Sequence, residues 1–159
     1  MGKFAILSPL LWVLMVNSCS PVHADDVYIG GWSKHLNDNN KNKDQEPTEY
    51  QFNGDHSLFA YEYDNYVVGH FYNSYYDSTW FASRRFPIAT AGDFSLNLHA
   101  GITYGYKSCE FSKLDYSVEG PPVYCPMIVP EISYDRYMIR PTLMIVGNAF
   151  VVTFKINFN

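Results

Sequence analysis

The sequence predicts an all-β chain that closes into an eight-stranded antiparallel transmembrane barrel of the outer-membrane type. Three observations predict it. Two long segments alternate strictly between apolar and small or polar residues, eight candidate strands can be counted, and the connections between them are alternately short and long. The composition agrees. Of 159 residues, 47% are hydrophobic, 18% aromatic and 17% charged, with a formal net charge of −5. That is too apolar for a disordered chain, and the length suits one domain. Clustered cations able to neutralise phosphates are absent, so nucleic acid is not an expected partner. The 14 Tyr and 11 Phe exceed what one small core needs. Aromatic rings in such number point to a surface with a use, and a membrane interface is one such use.

The first element is an export signal. Lys3 precedes an apolar run from Phe4 to Val16, and Val22-His23-Ala24 offers small residues at the two positions a signal peptidase reads. A run of about 13 residues containing Ser8 and Pro9 falls short of the ~20 needed to span a bilayer as a helix. Cleavage after Ala24 leaves residues 25–159 as the mature domain. A second cut remains open at Cys19, because Val16-Asn17-Ser18-Cys19 loosely resembles a lipoprotein cleavage box, with Asn17 a poor fit.

Beyond the signal, no stretch carries a 3.6-residue apolar period over ten or more residues, so helices are not expected. Strands are expected at 27–36, 57–63, 66–74, 79–86, 93–106, 126–134, 136–145 and 148–158. In the fifth, Phe94, Leu96, Leu98, Ala100, Ile102, Tyr104 and Tyr106 share one face, opposite Ser95, Asn97, His99, Gly101, Thr103 and Gly105. In the eighth, Phe150, Val152, Phe154, Ile156 and Phe158 oppose Ala149, Val151, Thr153, Lys155 and Asn157. A soluble barrel would turn such apolar faces inward and a membrane barrel outward; the length of the fifth strand favours the membrane form. The connections Asp64-Asn65, Pro87–Gly92 and Tyr134-Asp135 are short, whereas Asn37–Thr48 and Lys107–Tyr124 are long. Short turns belong to the periplasmic end and long loops to the outside; Gly147-Asn148 is a short outer exception. Odd-numbered strands then run outward, which brings His35 and Asn73-Ser74 to one outer rim.

Cys109 and Cys125 are the two cysteines of the mature chain. In an oxidising compartment a disulfide is the simplest reading, closing a 16-position loop that chain-entropy arguments value at about 3 kcal/mol. Zinc wants three or four ligands and no His lies near this pair, so no metal site is expected.

His35 at a strand end and Asn73-Ser74 in a turn are each ordinary when taken alone. Their shared rim raises them, and so does a wider likeness. Tyr28-Ile29-Gly30-Gly31-Trp32-Ser33-Lys34-His35 resembles the first strand of the outer-membrane lipid A palmitoyltransferases, the PagP family, with the histidine in register. Phe71-Tyr72-Asn73-Ser74-Tyr75 resembles that family's Phe-Lys-Asp-Ser-Trp segment. Pro121–Tyr134 and Arg140-Pro141 resemble its later proline-bearing strands, and the aromatic C-terminal strand is similar as well. The resemblance implies an enzyme that moves a palmitoyl chain from a phospholipid to lipid A or lipopolysaccharide, as a monomer in the bacterial outer membrane, without metal or cofactor. It implies His35 as the base that deprotonates the acceptor hydroxyl, with Ser74 orienting groups or donating to the oxyanion. It further implies that Pro130 and Pro141, which donate no ladder hydrogen bond, leave a gap through which lipid passes sideways. A strand edge or bulge explains these prolines equally well.

The chain also departs from that pattern. Asn73 stands where the family has aspartate, and an amide holds an imidazole without stabilising its positive form. Asp77 is near enough in sequence to substitute. The amphipathic N-terminal helix is missing from the pattern, Gly30 replaces a first-strand proline, and Phe81-Ala82-Ser83-Arg84-Arg85 replaces a glycine-rich fourth strand. One of the two adjacent arginines must point inward, where it would shorten, cap or abolish an acyl-chain cavity. These departures keep a second class open: a non-enzymatic small barrel, of the kind a phage or plasmid might carry, whose outer loops serve surface protection, adhesion or receptor blocking.

Overall fold

The computed structural model describes residues 25–36, 52–109 and 120–158. The export segment with both cleavage sites, and most of the two long loops, lie outside the described residues. Eight strands make up the fold: β1 (Asp26–His35), β2 (Asp55–Tyr63), β3 (Tyr66–Tyr72), β4 (Ser78–Ala91), β5 (Phe94–Tyr106), β6 (Val123–Tyr134), β7 (Ile139–Val146) and β8 (Ala149–Asn157). They pair antiparallel in sequence order, and β8 returns to β1 to close the barrel. The all-β, eight-stranded closed barrel expected from the sequence is therefore the observed fold.

Strand β4 is the chief difference in detail. It runs through Pro87 to Ala91 instead of stopping at Phe86, so the expected Pro87–Gly92 link shrinks to a turn at Gly92 and Asp93. Proline breaks a regular ladder because it has no N–H, and here a register shift between Pro87 and Ala89 absorbs it.

The apolar faces point outward. In β8, Ala149, Val151, Thr153, Lys155 and Asn157 are buried, while Phe150 and Val152 are exposed, as is Phe158 just beyond the strand. In β5 the predicted alternation holds through Tyr104 and then fails. Gly105 adopts a φ of 139° at a register shift between Tyr104 and Tyr106, and the extra residue turns Tyr106 inward instead of leaving it beside Tyr104. Exposed aromatic residues gather near both ends of the wall. Trp32, Tyr72, Trp80, Tyr104 and Tyr124 lie toward the end that carries His35, and Tyr61, Tyr63, Tyr66, Phe86, Phe94 and Tyr137 toward the other. Phe94 and Tyr104 are ten residues apart on one strand, about 33 Å, which a strand tilt of about 40° projects to roughly 25 Å along the barrel axis.

The inside is polar at one end. Glu131 has no solvent exposure, and five groups converge on it. His99 Nε2 lies 2.8 Å from Oε2, Asn97 Nδ2 and Ser133 Oγ each donate to Oε1 at 3.0 Å, the Tyr28 hydroxyl reaches Oε2 at 3.3 Å, and Lys155 Nζ stands 3.5 Å from Oε1. Tyr28 also donates to Glu62 at 2.7 Å, and Glu62 is ion-paired with Arg85. Arg85 is thus the inward arginine of the pair, while Arg84 lies outside over the Tyr66 and Phe86 rings. Arg85 is held low in the barrel by Glu62 and Asn97, so it neither caps nor abolishes the space above. The chain thus keeps a cavity despite its altered fourth strand.

Removing one partner from a buried charge cluster leaves the others uncompensated, so Glu131→Ala should lose about 3–5 kcal/mol of unfolding free energy. Glu131→Gln should lose less, since it keeps an acceptor for Asn97 and Ser133. Urea unfolding of the folded barrel, followed by tryptophan fluorescence, checks this; an unchanged Glu131→Ala midpoint contradicts it.

Candidate functional site

Above the polar network the barrel is hollow. A cavity of about 390 Å³, within the usual range for small-molecule sites, is walled by Leu58, Val67, Phe71, Phe81, Met144 and Val151. Tyr28 and His99 floor it, and His35, Ser74 and Asn148 stand at its mouth.

His35 reaches the interior through a backbone irregularity. Asp26 and Tyr28 face inward, so a regular strand would bring Trp32 and Lys34 inside and expel His35. Instead Gly30 and Gly31 adopt φ of 89° and 106°, and Trp32 pairs with Val152 directly after Gly30 pairs with Thr153. Gly31 is the extra residue against β8. Trp32 therefore faces out, and Ser33 and His35 face in.

Ser74 comes from the turn between β3 and β4, which Asn73 builds. The Asn73 side chain is fully buried; its Oδ1 accepts from the Tyr75 and Asp77 amides at 2.8 and 3.1 Å, and its Nδ2 donates to Thr79 Oγ1 at 3.2 Å. Such a turn is a common use of asparagine. Asn73, proposed from the sequence as a partner for the imidazole, is consumed by its own turn because its acceptor and donor are both committed there. What it positions is the next residue.

The His35 ring is bonded on both sides. Nε2 is 3.0 Å from Ser74 Oγ and Nδ1 is 3.1 Å from Asn148 Oδ1. The ring also stacks on Phe52, with centroids 4.3 Å apart at 27°. The second nitrogen is thus met by Asn148 and not by Asn73 or Asp77. Because His35 pairs with Ala149 across the β1–β8 seam, the residue just before β8 falls beside the imidazole. Sequence reading had treated Gly147-Asn148 only as a short outer link.

It also missed His56, which began one residue before the expected second strand. His56 Nδ1 donates to the Tyr72 carbonyl at 2.6 Å, and Nε2 lies 2.6 Å from Ser33 Oγ. Of this second Ser–His pair only the histidine lines the cavity, whereas His35, Ser74 and Asn148 all do.

The cavity also reaches the wall between β6 and β7. These strands pair only at Glu131–Met144, Ile132–Leu143 and Ser133–Thr142 among the described residues. Toward the mouth, β6 departs from β7, and Pro126 and Ile128 join the cavity lining although such positions face outward elsewhere on the strand. Pro130 stands at the first unpaired position and Pro126 four residues beyond; with the same parity, their missing donors face the same side. Pro141 does not share this gap. It pairs with Phe154 on β8 just past the other end of the three-residue β6–β7 pairing, away from the mouth, so the prolines on the mouth side are Pro126 and Pro130. Cys109 and Cys125 are bonded with a Cα–Cα distance of 5.3 Å, tying the chain after β5 to the mouth end of β6.

Fold and site together define a barrel with an internal apolar pocket and a Ser–His pair at its mouth. The chain matches no family model, and no curated protein matches it.

The Gly31 bulge can be tested through stability. Gly31→Val keeps the extra residue but opposes its φ and should cost about 1–3 kcal/mol. Gly31→Ala opposes the same φ with a smaller side chain against Leu58 and His56 and should cost less. Urea midpoints of the two folded variants check the order, and a Gly31→Val midpoint equal to that of the parent protein contradicts it.

Proposed function

We propose that this protein is an outer-membrane acyltransferase of the lipid A palmitoyltransferase kind, which takes a palmitoyl-type chain from a phospholipid and passes it to lipid A. The observation that carries the reading is the His35–Ser74 hydrogen bond at the mouth of an apolar cavity whose wall parts between β6 and β7. Outward apolar faces bounded by two aromatic zones support residence in the outer membrane as a monomeric barrel.

The cavity supplies what an acyl chain needs: apolar walls along its length and a polar floor that stops it. Burying the chain there offsets its withdrawal from the bilayer and holds the ester at the mouth, where positioning converts a bimolecular exchange into a local one. His35 Nε2 then stands where a proton must be taken up and returned as one ester is exchanged for another. The parted β6–β7 wall gives a path for a lipid tail from the bilayer side, so neither substrate has to leave the membrane.

Mass spectrometry of lipid A tests this in cells that lack their own palmitoyltransferase and express the protein, with barrel insertion checked by heat-modifiable gel mobility. A mass increase of one acyl chain is expected, and His35→Ala should reduce it by about 10²–10⁴-fold. Unchanged lipid A beside a properly inserted barrel would contradict the proposal.

A further inference from the structure

The geometry points to Ser74 as a nucleophile that carries the acyl chain covalently, with His35 as its general base and Asn148 as the residue that positions the imidazole. This inference rests on the acyl-ester reading of the site and goes beyond it, because an exchange catalysed by His35 alone needs no bond to the protein.

Three observations carry it. The Asn148 carbonyl oxygen faces Nδ1 at 3.1 Å, so Nδ1 bears the proton and donates it. That leaves the lone pair of Nε2 toward the Ser74 hydroxyl at 3.0 Å, where the hydroxyl donates. The order is nucleophile, base and orienter, each within hydrogen-bond reach of the next, as an activated serine requires. The second observation is placement: all three residues are half-buried and line the cavity mouth, where an ester carbonyl sits once its chain fills the pocket. The third is the contrast with Ser33 and His56. Their Nε2–Oγ distance of 2.6 Å is shorter, yet Ser33 does not line the cavity, and the imidazole is oriented by a backbone carbonyl. Among the described residues a third Ser–His pair, His70 with Ser78 at 2.8 Å, lies away from the cavity, so of the three only His35–Ser74 offers its hydroxyl to the pocket.

The steps balance. Ser74 Oγ attacks the ester carbonyl as its proton passes to Nε2. The tetrahedral intermediate collapses with cleavage of the ester C–O bond, and Nε2–H protonates the departing alkoxide, releasing a lysophospholipid and leaving an acyl-serine. An acceptor hydroxyl then gives its proton to Nε2 and attacks the acyl-serine carbonyl. The Ser74 C–O bond breaks, and Oγ recovers the proton. Asn148 donates nothing to the substrate; it fixes the ring and its tautomer.

A long-chain alkyl fluorophosphonate tests the assignment on the full barrel refolded in detergent micelles. Intact-mass and peptide analysis should find one adduct, on Ser74, that is lost in Ser74→Ala and His35→Ala variants retaining heat-modifiable mobility. Asn148→Ala should lower the maximal labelling rate by about 10²-fold while leaving the half-saturating probe concentration unchanged, and Asn148→Asp, which keeps the acceptor, should restore most of the rate. A merely structural Asn148 would change both parameters or be restored by neither. Lipid A acylation measured on the same preparations separates the two claims. Acyl transfer without a Ser74 adduct overturns the nucleophile and keeps the acyltransferase. An adduct with unchanged lipid A keeps the nucleophile and overturns the acceptor. Neither signal from a folded barrel overturns both.

Discussion

The rest of the molecule depends on the burial of Glu131. A carboxylate with no solvent exposure inside an eight-stranded barrel has to be matched by donors and positive charge, and the match draws in half of the strands: Tyr28 from β1, Asn97 and His99 from β5, Ser133 from β6 and Lys155 from β8. Glu62 and Arg85 extend the network to β2 and β4. Barrels of this size are just wide enough for side chains to fill, and here the filling is confined to one end. The large polar side chains fix strand positions there, and the smaller and apolar ones above them leave the other end hollow. The cavity floor is the top of that network.

The mouth of the cavity is assembled by three local devices that act on different strands. A two-glycine bulge rotates His35 inward on β1, an asparagine-closed turn holds Ser74 after β3, and barrel closure brings Asn148 beside β1. Each device is weak alone. Together they bring a serine, a histidine and an asparagine distant in sequence to within hydrogen-bond reach over an apolar pocket. On the proposed reading, the same wall that keeps this arrangement rigid also parts between β6 and β7, where Pro126 and Pro130 withdraw their donors from the ladder. A rigid mouth beside a parted wall suits an enzyme whose substrates approach along the membrane and react at its surface.

Much of the fold was legible in the sequence, because period-2 alternation is dictated by pleat geometry and β8 obeys it from Ala149 to Asn157. The failures occurred where a glycine or a proline changes the parity or extent of a strand. Tyr106 was expected beside Tyr104 and turned inward at Gly105; β4 ran on past Pro87. For the site, His35 and Ser74 were visible because strand direction placed both at one rim. Asn148 and His56 were not, since neither carries a local signal. Asn148 becomes visible only when β8 is closed onto β1, and His56 only when β2 is extended to Asp55. The partners of Asn73 were not legible, because its side chain is equally suited to an imidazole and to a turn, and sequence spacing does not say which is nearer.

The central claim is that the hollow end of the barrel is an acyl-chain pocket with its chemistry at the mouth. The most direct measurement is a high-resolution crystal structure of the protein grown with a single-tailed alkyl detergent. The account predicts an alkyl tail inside the barrel, its terminal methyl against Tyr28 and His99 and its head group beside Ser74 and His35. Detergent tails confined to the outer wall, with ordered water filling the space above Tyr28, would contradict it.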